Sequence, residues 1–280
     1  EETERKRSVL MIIPLPKEEN KSPSQHWYTM QAEACHWQED GKPTTLRHAR
    51  KQNLVPSVSS VLGVIEKPRI TKFKCDEMVK QCLQYPHEEG ESEKDYINRI
   101  HGYALAAKRD ILDFGTRVHH GIEMYNLGTY DEQEDPDIFP YVETYIRWAQ
   151  KNVKKVIAVE KTVVNKKLGY GGTIDLVAEL RNQRGVTLID YKTQRWDDEK
   201  KPAFYETWSQ QLAAYRKTMR PNPHCLSLVI CATEPRPVIE RWWSKPELQT
   251  AWKIFNAARV VWQESKNYRP SDESDRQGNN

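Results

Sequence analysis

Two short runs in the middle of the chain constrain its fold more than any other part. They are Gly171-Gly172-Thr173-Ile174-Asp175-Leu176-Val177-Ala178-Glu179-Leu180 and Val186-Thr187-Leu188-Ile189-Asp190-Tyr191-Lys192-Thr193. Each is apolar enough for a buried strand, is bounded by polar or turn-forming residues, and carries an acid in its interior. A carboxylate among Val, Leu and Ile is costly to bury without a partner. Two such acids on successive strands point to a shared cation. Asp175 and Asp190 can meet at neighbouring strand ends and present oxygen ligands to a hard ion such as Mg²⁺ or Mn²⁺. Lys192 follows Asp190 by two residues, and the period of a strand places it on the same face. There it reaches an attacking water or a phosphate, where a metal lowers the pKa of bound water and an ammonium stabilises growing charge. Taken alone, Asp-x-Lys is a weak signal and reads far more often as an ordinary edge pair.

The surrounding text predicts a mixed α/β fold. Val156–Val164 precedes the two runs as a further strand, and the three together read as an antiparallel meander. An amphipathic helix is expected over Glu206–Met219, strands over Cys225–Ala232 and Val238–Trp243, and a last helix from Pro246 to about Lys266. Upstream, Pro56–Leu62 reads as a turn entering a helix, with serines able to cap its free amides. Further helices are expected over Lys72–Tyr85, Tyr96–Leu127 and Tyr141–Lys151, with an acidic loop at Asp131–Pro140. Gly115 and Gly121 mark either a break in the long helix or a close approach. Residues 1–55 mix charge, proline and aromatics, and only Val9–Ile13 reads as a strand. The division expected is therefore an N-terminal extension (1–55), a helical region (56–152), a core (153–268) and a disordered tail (269–280).

Composition narrows the partners without naming one. The 43 basic and 40 acidic residues leave a formal charge of +3, so nucleic-acid contact must come from local clusters rather than a global field. Lys151–Lys155, Lys166-Lys167 and Lys108-Arg109 are such clusters, although charged runs are commonly solvated faces. The five cysteines are scattered and include no C-x-x-C pair, against a disulfide scaffold or zinc ribbon and in favour of a reducing compartment. No stretch has the length and apolarity to span a bilayer, and the N-terminus lacks a signal-peptide core. The cytoplasm of a bacterium or phage-infected host is expected, with the mitochondrial matrix as the alternative.

Five elements occur in one order: Gly115-Thr116-Arg117-Val118-His119, Glu160, Gly172-Thr173-Ile174-Asp175, Asp190-Tyr191-Lys192-Thr193 and Gln211-Leu212-Ala213-Ala214-Tyr215. This order resembles the RecB-like branch of the PD-(D/E)xK nucleases. Within it the resemblance is nearest to genome-maintenance exonucleases of mitochondria and similar phage exonucleases, over roughly residues 55–265. It implies a restriction-endonuclease-like core, a mixed sheet flanked by helices, with a helical addition over the active site. It also implies Mg²⁺- or Mn²⁺-dependent hydrolysis of single-stranded DNA or single-stranded ends. His119, Asp175, Asp190 and the Tyr191 backbone carbonyl become metal ligands. Glu160, Asp175, Asp190 and Lys192 form the catalytic set. His120 competes with His119, but the G-x-x-x-H spacing favours the latter.

Gln211 and Tyr215 share a helical face and either address the active site or cap the sheet and fill the core. They join Thr193, Arg117, Trp196 and Trp208 as candidate substrate contacts, with Lys108, Arg109, Tyr96 and Tyr103 on the roof of the cleft. Trp242, Trp243, Trp252 and Trp262 read as core. Iron–sulfur relatives cluster cysteines around this core; none cluster here, so no such centre is expected. DNA is the expected partner, together with replication or recombination proteins. Cleavage of duplex ends or internal sites, and a silent DNA-binding module, are the competing readings.

Overall fold

The computed structural model describes residues 26–199 and 201–270, without the side chains of Arg69, Ile70, Ala107 and Lys108. The expected strand at Val9–Ile13, the tail beyond residue 270 and the Lys108 side chain lie outside what is described. In chain order the elements are β1 (Trp27–Tyr28), α1 (Leu46–Gln52), β2 (Val55–Pro56), α2 (Val58–Leu62), α3 (Pro68–Gln84), α4 (Glu93–Leu127) and α5 (Phe139–Asn152). There follow β3 (Val153–Asn165), β4 (Tyr170–Leu180), β5 (Gln183–Gln194), α6 (Glu206–Arg216), β6 (His224–Cys231), β7 (Ile239–Trp243) and α7 (Lys245–Lys266).

The last five strands form one sheet in the order β3-β4-β5-β6-β7. β3, β4 and β5 make the expected antiparallel meander, whereas β5 and β6 run parallel. A parallel pair needs a crossover, and α6 provides it. β7 closes the sheet antiparallel to β6. Helices cover both faces of this mixed sheet, so the expected fold class is what the chain adopts.

One face, with Ile174, Val177 and Leu188, packs against Leu212 of α6 and Phe255 and Trp262 of α7. The other, with Leu176, Ile189, Tyr191 and Leu226, meets Val118 and Ile122 of α4 and Val142 and Tyr145 of α5. The alternation between neighbours 176 and 177, or 188 and 189, is what a strand buried on both faces requires. Residues 26–57 add to the first layer. Trp27 packs on Trp262 and Tyr268 with ring centroids 6.1 and 6.4 Å apart, and the Tyr268 hydroxyl donates to the Ala49 and Leu54 carbonyls at 2.8 Å.

α4 begins at the N-cap Ser92, which accepts from the Asp95 amide, and ends at a left-handed Gly128. It runs unbroken through both internal glycines, which serve as close approaches. A Cβ on Gly121 would stand 2.7 Å from Val142 Cγ2, and one on Gly115 would stand 2.9 Å from Thr193 Oγ1. α4 thereby lies directly on α5 and on the end of β5. Its N-terminal half pairs with α3 and leaves Ile97, Leu105 and Leu112 exposed. Among the described residues, no helix is long and apolar enough to cross a membrane.

Candidate active site

The site forms where β4 and β5 part. Their backbone pairing ends at Leu176↔Ile189, one step before Asp175 and Asp190. From there a side chain replaces the ladder, because the Tyr191 amide donates to Asp175 Oδ2 at 2.7 Å. The opened ribbon leaves both carboxylates at the parting. On the other flank, Val159 pairs with Leu176 and Lys161 with Ile174, so Glu160 stands opposite Asp175. Glu160 has φ 46°, a left-handed conformation costing a non-glycine residue about 1–3 kcal/mol. Strain of this kind in a strand, beside two inward acids, marks a position held for its side chain.

The alternation expected of β5 is observed. Asp190, 2% exposed, lies on the α6 side with Lys192, whose Nζ is 2.7 Å from both carboxylate oxygens and donates to Oδ1. Oδ2 is buried without a donor in hydrogen-bond geometry. Lys192 also donates to Gln211 Oε1 at 3.3 Å, and Gln211 Nε2 donates to the Tyr215 hydroxyl at 3.3 Å. Tyr215 is buried, and its ring passes so close to Gly172 that a Cβ there would lie 2.5 Å from Cε1. The two readings left open for this pair thus divide between them: Gln211 reaches the lysine, and Tyr215 fills the core behind it. Tyr191 points the opposite way. Its hydroxyl lies 3.1 Å from that of Tyr145 and accepts from Asn126 Nδ2 at 3.2 Å, while Tyr145 donates to Asn126 Oδ1 at 2.9 Å.

His119 arrives from α4 with its ring edge-on to Tyr191, centroids 5.7 Å apart. His120 turns aside to Glu123, Nδ1 to Oε2 being 3.4 Å. Burial pushes the His119 pKa down to about 4, helped by the Lys192 charge and opposed by Asp190. The imidazole is therefore neutral at physiological pH, as metal ligation requires. The carboxylates shift upward. Burial raises Asp190, with Asp175 adding to the rise and Lys192 opposing it, and burial likewise raises Asp175 against Lys192 and the Tyr191 amide. Glu160 rises to about 7 through loss of water around its carboxyl, then the charges of Asp175 and Glu123.

Among the described residues, no three His, Cys, Asp or Glu side chains converge tightly enough to cage an ion as they stand. The donor set nonetheless fits a divalent cation. Asp175 and Asp190, both with raised pKa values, share one ammonium, Glu160 stands opposite Asp175 with its own pKa raised, Asp190 Oδ2 lacks a hydrogen bond, and the nearby imidazole is neutral. Carboxylate oxygens with one imidazole suit a hard or borderline ion.

The remaining candidates divide. Thr193 and Arg117 line one cavity of about 370 Å³ beside the end of β5, together with Phe114 and Arg195. Arg117 is held there by Asp135 through a two-pronged ion pair, Nε to Oδ2 at 2.7 Å and Nη2 to Oδ1 at 2.5 Å. Trp196 and Trp208 do not meet the expectation of substrate contact: 6% and 8% exposed, they pack with Val229 and Cys231 in a small apolar cluster. Their ring faces are spent on the core side of β6. Tyr96 and Tyr103 are likewise engaged locally, against His87 and Tyr85 at 5.2 and 4.4 Å between centroids, while Arg109 is exposed. Glu123 was not anticipated. Its signal was available in its place one helical turn after His119, on the same face.

Comparison with known proteins follows the same lines. The sequence profile of the PD-(D/E)XK nuclease superfamily matches residues 94–250, more than half of the chain and all five elements of the site. Comparison with curated proteins gives no match. Among solved structures, the chain is similar to a protein named "Putative exonuclease" from Eubacterium rectale, at 15% identity, 81% of this chain, 88% of that one and TM-score 0.44. It is also similar to SSO0001, at 17% identity, 70% and 87% coverage and TM-score 0.29. Likenesses this distant say nothing of substrate.

Proposed function

Because the chain belongs to the PD-(D/E)XK nuclease superfamily, we propose that it is a divalent-cation-dependent exonuclease of the RecB-like branch. In this reading it hydrolyses phosphodiester bonds of single-stranded DNA or single-stranded ends. The observation that carries the catalytic assignment is the parting of β4 and β5, which leaves a buried Asp190 whose Oδ2 accepts no hydrogen bond and whose charge is paired with a lysine on the same face. Asp175, Asp190, His119 and the Tyr191 carbonyl would hold the cation, with Glu160 beside them. When bound, it supplies Lewis acidity toward the attacking water and the phosphate.

The chain's own groups supply the rest. Lys192, fixed between Asp190 and Gln211, presents an ammonium to a phosphate oxygen and stabilises its growing negative charge. Two of the three ammonium protons go to Asp190 and Gln211, which leaves one for that oxygen or for the attacking water. Gln211 limits where Lys192 can point, and the closed Tyr191–Tyr145–Asn126 triangle fixes the strand carrying both catalytic residues. α4 brings His119 from one side and Arg117 to the adjoining cavity, where it and Thr193 of β5 would meet the strand next to the scissile bond.

The test is digestion of end-labelled linear single strands, circular single strands and duplex, with Mg²⁺, Mn²⁺ or EDTA, by wild type and Lys192→Ala. Cation-dependent loss of linear single strands, with circles spared and the variant inactive, supports the reading. Cutting of circles makes the enzyme an endonuclease, preference for blunt duplex moves its substrate, and cleavage by neither protein leaves a DNA-binding module.

A further inference from the structure

The β4–β5 ribbon has a second end, and its chemistry is opposite to that of the first. The strands are joined by a tight turn at Arg181-Asn182, with Leu180 paired to Gln183. The register then jumps to Glu179↔Val186, leaving Arg184 and Gly185 as extra residues in β5, and Gly185 takes φ 88°. Such a bulge bends the ribbon and re-aims the residues within it. The Arg181 amide donates to the Asn152 carbonyl at 2.8 Å, which ties the turn to the junction of α5 and β3. The lysine-rich run noted in the sequence is thereby brought against the two arginines.

The result is a concavity of about 490 Å³ lined by Lys154, Arg181 and Arg184, with Glu179 its single acid. Lys154 is paired with Glu179 at 3.5 Å. Arg181 and Arg184 are exposed and have no carboxylate within ion-pair distance among the described residues, and Lys151 and Lys155 stand exposed beside them. An arginine fork without a carboxylate is a phosphate-recognising group held ready. In a chain whose formal charge is only +3, two spare arginines on the hairpin and two lysines on the adjoining α5–β3 junction amount to a local field.

We propose that this concavity is a docking site for the phosphodiester backbone of the substrate strand, remote from the cleavage site and set at a fixed spacing from it by the ribbon itself. The inference rests on the nuclease reading and extends it. Six residues separate Arg184 from Asp190, about 20 Å at the rise of a strand. That is about six nucleotides at the 3.4 Å of a stacked strand, and fewer for an extended one. A strand anchored at the basic end and cut at the acidic end must exceed that length, whereas a trinucleotide occupies the cleavage site alone.

The test compares wild type, Arg181→Glu/Arg184→Glu and Arg181→Lys/Arg184→Lys, with circular dichroism to verify folding. Binding of a labelled oligo-dT of twenty nucleotides is followed by fluorescence anisotropy in EDTA across a salt series. Cleavage of the same oligomer and of a trinucleotide is followed with Mn²⁺. The charge-reversed protein should bind the long strand at least tenfold more weakly, with the salt slope reduced by about 1.4 for two lost single-strand contacts. It should cut the trinucleotide at the wild-type rate, and the lysine variant should keep the long-strand affinity. Unchanged affinity and slope, no binding of the oligomer by wild type, or equal loss on both substrates overturns the proposal. A wild type that binds through the patch but cleaves nothing overturns the nuclease reading and leaves the docking site standing.

Discussion

The two sides of β5 differ in how they treat buried polar atoms. On the α4/α5 side, the hydroxyls of Tyr191 and Tyr145 and the amide of Asn126 close a triangle in which each group has a partner. On the α6 side, one residue away, Asp190 keeps an oxygen without a hydrogen bond, and Asp190, Asp175 and Glu160 are pushed toward their protonated forms. A satisfied network adds to stability and specifies one arrangement. A buried carboxylate oxygen left without a hydrogen bond, even beside an ammonium, costs stability and persists where something outside the chain completes it. The difference teaches that, under the proposed reading, the Tyr191 side chain serves the architecture and Asp190 the chemistry, though they are adjacent in sequence.

Substitution should separate the two sides. Lys192→Ala and Asp190→Asn are expected to lower kcat by about 10²–10³-fold or more while the folded protein survives, as read by single-strand digestion beside a thermal melt. Loss of folding in Asp190→Asn would place this residue with the architecture. Gly172→Val acts from behind the site, driving a side chain into the Tyr215 ring. Overpacking of that kind should cost about 1–3 kcal/mol in a denaturant titration, and unchanged stability would mean that Tyr215 yields freely. Tyr191→Phe should cost about 1–2 kcal/mol by leaving two buried partners short of a hydrogen bond, with cleavage changed much less than by Lys192→Ala. A comparable loss of activity would erase the contrast.

A pH series sharpens the same comparison with a smaller effect. Glu160 has a folded pKa near 7 against an ordinary 4.5, so the folded protein holds the proton more tightly than the unfolded chain. Stability contributed by this group is full below about 4.5 and is lost as pH rises through 7. Asp175 and Asp190 are shifted in the same direction. His119, lowered to about 4 from 6.5, works the other way but only up to about pH 6.5, so without added metal Tm should fall between pH 6.5 and pH 8, and Glu160→Gln should flatten the fall. Mn²⁺ should raise Tm more at pH 8 than at pH 5, because ligation competes with protons. A Tm that rises from pH 6.5 to pH 8 without metal would contradict the assigned shifts. The smallest effect belongs to the projecting half of α4: Leu105→Ala, at a side chain 54% exposed, should shift stability by no more than about 0.5 kcal/mol.

The legible parts of the molecule were those in which local pattern and burial agree. The β3–β5 meander, the Asp190/Lys192 face and the fold class follow from period-two alternation and the price of an inward acid. The helix over α4 was legible as a helix, yet its periodicity continues evenly through the half that covers the sheet and the half that does not. Nothing local distinguishes Val118, fully buried, from Leu105. Trp196 and Trp208 were misjudged because a tryptophan near a motif suits stacking or packing equally, and β6, which settles the matter, lies some twenty residues farther on. The triangle of Tyr191 joins groups 46 and 65 residues apart, beyond any local pattern. Glu160 could be placed by its motif, whereas its left-handed backbone could not, since that conformation is imposed by the neighbouring strands. Trp27 shows the reverse case: an aromatic in a polar, proline-rich run was a usable sign of core, and it is wholly buried.

The bond from the Tyr191 amide to Asp175 gives the protein an internal reporter. That N–H is the first of β5 to depend on a carboxylate rather than on the paired strand. Any event that redirects the carboxylate, whether an arriving cation, an added proton or a displaced ligand, must alter the field at this one hydrogen. Its proton chemical shift and its exchange with deuterium therefore record the condition of the Asp175 carboxylate in the resting protein, with no substrate present and no bond being cut.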